Sequence, residues 1–191
     1  MAKVGIKGLT YAPYTSGGDG AAVVYGTGAQ LADYMIRADI SEERDDIKFH
    51  ADDHQIDSEN GVNGVTLQLE LSNFTDELDK VLLGHVSGTG DELNVTASDA
   101  PFVGVGYVRK ERFKGVVKYH AFWIYKVQFS KDSDSTQTKG ESIDFQTETI
   151  SGDAMGVQLI AGGDVTYYSH TRVDTEAAAL TWLKGKAGIS G

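Results

Sequence analysis

The stretch VVKYHAFWIYKVQF, residues 116–129, decides the fold. Val117, Tyr119, Ala121, Trp123, Tyr125, Val127 and Phe129 fall on one side of an extended chain, and Lys118, His120, Phe122, Ile124, Lys126 and Gln128 on the other. Alternation sustained this long predicts a strand whose first face meets a core. The second face is mixed, so Phe122 and Ile124 need cover from another layer or another chain. Val65, Leu67, Leu69 and Leu71, alternating with Thr66, Gln68, Glu70 and Ser72, predict a second half-buried strand. Shorter strands are expected at 2–9, 21–25, 34–41, 46–50, 102–108, 141–150, 156–161 and 165–170, separated by glycine-rich turns such as Gly17-Gly18-Asp19-Gly20 and Gly162-Gly163-Asp164.

Two segments predict helices. Thr75 is a good N-cap, Asp76 and Glu77 suit the positive end of the helix dipole, Leu78, Val81 and Leu82 share a face, and Gly84 suits the C-terminal stop. The second runs from about Asp174 to Lys184, with Ala177 to Leu180, Trp182 and Leu183 packing and Asp174 or Thr175 capping. Many strands with two short helices predict a mainly β protein, a β-sandwich or barrel-like fold with one flanking α-helix and a short C-terminal helix. One domain covers 1–191, with an N-terminal arm at about 1–15, a long acidic inter-strand loop at about 39–60 and a C-terminal helix and arm at about 174–191.

A chain of 191 residues and 20.5 kDa buries roughly 70% of the surface its unfolded form exposes. It contains no cysteine, which excludes disulfides, thiolate metal sites and cysteine nucleophiles. No apolar run reaches the ~20 residues of a membrane span and the N-terminus lacks a leader-like apolar block, so synthesis in a cytoplasm without a cleaved leader is expected. The net charge of -11 opposes binding to nucleic acid phosphates or anionic membranes. Charge is also segregated. Asp39 to Asn60 holds nine acidic residues against Arg44 and Lys48, whereas Arg109 to Lys126 holds six basic ones against Glu111. These two segments attract each other, within a chain or between chains.

Catalytic constellations are weak. His50, Asp52 and His54 form the nearest approach to a metal site. On an extended chain, i and i+4 lie about 13 Å apart, and an exposed polar loop is the simpler account. Gly26-Thr27-Gly28 is half a dinucleotide fingerprint and reads as a turn, and no Walker-type loop or nucleophile elbow is present. Asp76, Glu77 and Asp79 are better explained as dipole partners than as acid–base pairs. No enzyme and no cofactor are therefore expected. A long strand apolar on both faces, in a chain with two prolines, instead favours strand pairing between subunits. A twenty-residue acidic excursion is a candidate for a functional loop.

The ordered set of local motifs is familiar. It comprises Gly-Leu-Thr-Tyr-Ala-Pro-Tyr-Thr at 8–15, His-Ala-Asp-Asp at 50–53, Gly-Val-Asn-Gly-Val-Thr-Leu-Gln-Leu-Glu-Leu at 61–71, Leu-Leu-Gly at 82–84, Gly-Tyr-Val-Arg at 106–109 and Tyr-His-Ala-Phe-Trp-Ile-Tyr-Lys-Val-Gln-Phe at 119–129. Over roughly 5–185 the chain resembles the major tail proteins, or tail tube proteins, of bacteriophages with long non-contractile tails. The resemblance implies a structural virion protein in which hexameric rings stack into a hollow conduit for DNA ejection. Its partners would be further copies of itself, with the tail tip, tail terminator and tape measure proteins. It would be assembled in the host bacterial cytoplasm, and DNA would pass through without specific binding. The loop at 39–60, with Asp39, Glu42, Glu43, Asp45, Asp46, Asp52, Asp53 and Asp57, would reach neighbouring subunits. Gln68, Glu70, Asp144, Gln146 and Glu148 are candidates for the lumen, although outward exposure explains them equally. Tyr119, Trp123, Tyr125 and Val127 are the expected core strand residues. The alternatives are a monomeric binding sandwich with Tyr119, Trp123 and Tyr125 as a sugar platform, a metal-dependent enzyme using His50, Asp52 and His54, and a tube subunit of a contractile tail or secretion machine.

Overall fold

The computed structural model describes residues 2–31, 34–51, 54–131 and 147–189; at 45–51 and 54–60 it describes the backbone alone. In chain order the strands are β1 (Ala2–Ser16), β2 (Val24–Tyr25), β3 (Ala29–Leu31), β4 (Met35–Ala51) and β5 (His54–Leu71). A helical turn α1 (Asp76–Leu78), continued by a π-helical turn over Asp79–Leu83, precedes β6 (Val86–Ser87), β7 (Leu93–Asn94), β8 (Phe102–Phe113) and β9 (Val116–Ser130). β10 (Glu148–Ala154), β11 (Val157–Gln158), β12 (Val165–Thr166), β13 (Tyr168–Val173) and α2 (Glu176–Ala187) complete the chain. The protein is mainly β, built on one large antiparallel sheet ordered β2-β1-β8-β9-β10-β5-β4, with β3 on β1 and β13 on β9.

The sheet curls on itself. Leu9 and Tyr11 of β1, Val103, Val105 and Tyr107 of β8, and Phe122 and Ile124 of β9 meet Val65, Leu67, Leu69 and Leu71 of β5 and Ile150 of β10 in one buried core. Leu78, Leu82 and Leu83 of the first helical segment join it. The curl brings β4 beside β1, with no ladder between them among the described residues. A second buried cluster lies on the other side of β8 and β9, where Ala179, Leu183 and Ala187 of α2 cover Val108, Ala121, Trp123 and Tyr125.

Both helices carry the expected caps. Thr75 Oγ1 accepts from Leu78 N, and Thr175 Oγ1 accepts from Ala178 N. Gly84 and Gly188 close them with left-handed backbone at φ 75° and 68°.

Four expectations are corrected. First, β9 does not present a single core face from end to end. Between the pairs Val103↔Val127 and Val105↔Ile124, β8 advances two residues while β9 advances three. The extra residue is a bulge at Tyr125–Lys126, which reverses the alternation. Ala121, Trp123 and Tyr125 therefore face α2, whereas Val127 and Phe129 join Phe122 and Ile124 in the other cluster. Tyr119 is only partly buried.

Second, β9 is central, with β8 on one side and, from Tyr119 onward, β13 and β10 on the other, so over most of its length it is not an edge strand. Third, 39–60 is not a loop: apart from the two residues between β4 and β5 it belongs to those strands, which pair from Met35↔Leu71 to Ala51↔His54. Fourth, 2–15 is not a free arm but part of β1, hydrogen-bonded to β8 from Ala2↔Arg112 to Pro13↔Val103.

Gly106, on β8 opposite Trp123, is a point of close approach between α2 and the sheet. A Cβ there would stand 2.6 Å from the Phe122 carbonyl oxygen, 2.6 Å from Leu183 Cδ2 and 2.7 Å from Trp123 Cε3. Gly106→Ala is expected to cost about 1–3 kcal/mol through overpacking, read as a lower urea midpoint at unchanged m-value.

Candidate functional site

Two features of the surface combine residues distant in sequence. The first is the outer face of β4, β5 and β10. In the observed register Arg37 pairs with Glu70, Asp39 with Gln68 and Ser41 with Thr66, while Thr149, Ser151 and Asp153 of β10 pair with Glu70, Gln68 and Thr66. Paired residues share a side, and this side alternates with the buried Leu67, Leu69 and Leu71. The result is a wholly polar face. Arg37 Nε lies 2.5 Å from Asp39 Oδ2, so the local cation is already matched and Glu70 and Asp153 leave the face acidic. Thr147 Oγ1 donates to Glu70 Oε1 at 2.6 Å.

Gln68 and Glu70 thus lie together on this face, as their spacing predicts. Glu148 does not join them. It pairs with Leu71, on the side of Ile150, and its carboxylate meets Lys131 Nζ at 2.9 Å. Asp144 and Gln146 lie outside the described residues, as do Asp52 and Asp53. The residues that accompany Gln68 are Thr149, Ser151 and Asp153; a shift of one residue in the expected register hid them.

This face ends in a long edge. β4 has β5 on one side and no strand on the other among the described residues. β10 runs along β5 from Val65 to Leu71, so beyond Val65 the two hairpin strands pair, among the described residues, only with each other. The base of the hairpin is fixed. Tyr168 donates to Glu42 Oε1 at 2.6 Å and Tyr167 donates to the Asn63 carbonyl at 2.9 Å. The Tyr168 hydrogen bond, with Arg44, holds the Glu42 carboxyl below its ordinary range. Glu43 pairs with Gly64 on the outer face. Asp45, Asp46 and Asp57 lie on the hairpin strands beyond this base.

The second feature is a cleft of about 660 Å³ between β4 and the strands β8, β9 and β13. Its wall holds an ionic cluster centred on the buried Glu111 and His120. Glu111 Oε1 accepts from Arg109 Nε at 3.1 Å and Nη2 at 2.7 Å, and Oε2 accepts from Arg172 Nε at 3.3 Å. His120 Nδ1 stands 3.2 Å from Glu111 Oε1, and its Nε2 is 3.1 Å from His170 Nδ1. Arg109 also covers the Phe122 ring at 4.8 Å. Burial pushes the Glu111 carboxyl up, but the hydrogen bonds and charges of Arg109 and His120 outweigh it and hold the group at about 2. Burial lowers His120, against the raising effect of Glu111, and favours its neutral form. Arg109 Nη2 also stands 3.1 Å from His120 Nδ1, so this nitrogen donates to Glu111 in one neutral tautomer and accepts from Arg109 in the other. No serine, threonine or cysteine is among the residues lining this cleft. The sequence signal for the cluster was Glu111, the lone acid in a basic run.

The remaining candidates are placed elsewhere. Trp123 is fully buried and Tyr125 is 4% exposed under α2, so Tyr119, Trp123 and Tyr125 form no sugar platform. Trp123 Nε1 donates to the Tyr25 hydroxyl at 3.1 Å, which donates to the Tyr125 carbonyl at 2.7 Å. His50 and His54 are not separated along an extended chain, because the chain reverses between Ala51 and its partner His54. No cluster of metal-ligating residues occurs among the described residues. No helix among them is long and apolar enough to cross a membrane. No protein-family model matches the chain, and no curated protein matches it.

Proposed function

We propose that this protein is a structural subunit of a phage tail tube, in which copies join side by side into hexameric rings and the rings stack around a channel for DNA. The observation that carries this reading is the acidic polar face of β4, β5 and β10, bordered by a 17-residue strand whose outer edge joins no ladder among the described residues. A free strand edge carries a row of unpaired backbone donors and acceptors, which another copy can complete. A channel lined by Gln68, Glu70, Thr149, Ser151 and Asp153 repels phosphates more than it binds them, so DNA slides through. In this reading the acidic hairpin replaces the expected loop as the inter-subunit element, and catalysis has no part.

Negative-stain electron microscopy of the purified protein over a range of concentrations, with its solution mass, tests the proposal. Hollow rings or tubes are expected; a particle of about 20 kDa at every concentration, even with tail-tip complexes added as initiators, would overturn it. A shortened hairpin refines the test. Replacing residues 46–60 with Asn-Gly joins Asp45 to its partner Gly61 through a turn suited to a tight hairpin. The variant is expected to keep the wild-type circular dichroism and thermal midpoint within a few degrees, yet form no tubes.

A further inference from the structure

The turn between β8 and β9 ends in an uncovered basic tip. Val4, Phe113 and Val116 are 56%, 52% and 54% exposed there. Phe113 and Val116 pair across the turn, and the adjacent pair Ala2↔Arg112 brings the start of β1 alongside. By register Lys110 and Arg112 stand on the opposite side of this two-stranded ribbon from Phe113 and Val116, and Lys114 lies in the turn between them; all three are exposed, with no carboxylate partner among the described residues. Beside them on β1, Lys3 is likewise exposed and without a carboxylate partner among the described residues, whereas further along the sheet Lys7 is matched by Glu176, Lys118 by Asp174 and Arg109 by Glu111. Unmatched cations and exposed apolar side chains together are the features of an interface that one copy leaves open.

The same chain carries a complementary segment. Residues 45–60 hold six acidic residues against Lys48, in the part of the hairpin that β10 does not support. β5 and β9 both run antiparallel to β10. The turn before β5 and the turn before β9 therefore lie at the same end of the sheet. Copies arranged side by side in one orientation bring the hairpin of one toward the tip of the next without inversion. The exposure of Val4, Phe113 and Val116 shows that the chain's own hairpin does not cover the tip.

We propose that the β8–β9 tip is the docking surface for the acidic β4–β5 hairpin of a neighbouring copy, with Lys110, Arg112 and Lys114 engaging Asp45, Asp46, Asp57 and Glu59. The proposal deepens the tube reading and rests on it for the association of copies. Opposed charges set the register of the contact, with Lys110 and Arg112 on one side of the ribbon and the apolar Phe113 and Val116 on the other.

A mixing experiment tests it. One variant reverses the hairpin (Asp45→Lys, Asp46→Lys, Asp57→Lys, Glu59→Lys) and the other reverses the tip (Lys110→Glu, Arg112→Glu, Lys114→Glu). Circular dichroism and the urea midpoint check that both remain folded. By sedimentation at low salt each variant alone is expected to associate about tenfold or more weakly than wild type. An equimolar mixture should recover association, because a basic hairpin then meets an acidic tip and the reverse. Wild-type association should weaken as salt shortens the screening length to below ~10 Å.

Unimpaired association of either folded variant, or a mixture no better than its components, would overturn the proposal; pairing within a chain is not rescued by mixing. Microscopy separates this from the tube reading. Tubes formed by the unmixed variants remove the tip contact and leave the tube. Rescue by mixing without hollow particles keeps the contact and removes the tube.

Discussion

Trp123→Ala is expected to destabilise the protein by about 3–5 kcal/mol, the cost of a large-to-small change in a core. Trp123 is fully buried between the sheet and α2. Its ring meets Tyr25 edge-on at 5.4 Å, and its Nε1 donates to the Tyr25 hydroxyl. Removing the indole opens a cavity beneath Leu183 and deprives that hydroxyl of a donor. For a domain of this size a 4 kcal/mol loss corresponds to a fall of about 8–16 °C in Tm. Trp123→Phe keeps most of the volume but not the N–H, and should cost about 1–2 kcal/mol. Urea titrations of the two variants check both values. An Ala variant that melts with the wild type would place Trp123 outside the core.

Glu111→Ala is the other large effect. The carboxylate is 4% exposed and receives Arg109, Arg172 and His120. Deleting one member of a buried ionic cluster costs about 3–5 kcal/mol because its partners keep their desolvation penalty. Arg172 is 55% exposed and recovers water easily, so about 3 kcal/mol is expected.

The effect has a definite pH dependence. The carboxyl titrates near 4.5 when unfolded and at about 2 when folded. Between these values the unfolded chain binds more protons, so acid favours unfolding. The contribution of the ionised group is complete above about pH 5, about 3 kcal/mol, and falls to about 1.4 kcal/mol by pH 3. Neutral His120 adds loss in the same direction, since its folded value is also lowered and protonation on acidification favours the unfolded chain. Glu111→Gln should therefore flatten the acid limb of the stability curve. A gap between wild type and Glu111→Gln that stays constant from pH 7 to pH 3 would show that the ionised carboxylate is not its source.

The parts of the fold legible in the sequence were those governed by neighbours along the chain. The alternation in 65–71 reports directly on β5, whose leucines are buried and whose Gln68 is exposed. Thr75 and Thr175 announce their helices because capping is a contact over three residues. The acidic run at 39–60 was harder to read. Its charges suggested solvent, and solvent suggested a loop, yet the backbone pairs in a ladder from Met35↔Leu71 to Ala51↔His54, and a ladder needs no apolar alternation to form. The bulge at Tyr125–Lys126 had no local signature at all. It arises from how β8, β10 and β13 share β9, and it moved Val127 to the other side of the sheet.

The candidate site divides along the same line. Gln68 and Glu70 could be assigned to one face because residues two apart on a strand share a side. Their companions Thr149, Ser151 and Asp153 come from a different strand, and the register between strands is a tertiary quantity. Glu148 was misplaced for that reason. The cluster of Arg109, Glu111, His120, His170 and Arg172 likewise combines three strands. By itself the sequence determined the strand-rich class, the helix ends, the acidic balance and the segregation of charge, because each depends on composition or on residues within one turn or pleat. The tertiary structure alone decided which strand is central and which edge is free, which acids are buried and paired, and which end carries both hairpins. Those follow from ladder pairings between segments tens of residues apart, whose energies appear only once the chain has closed on itself.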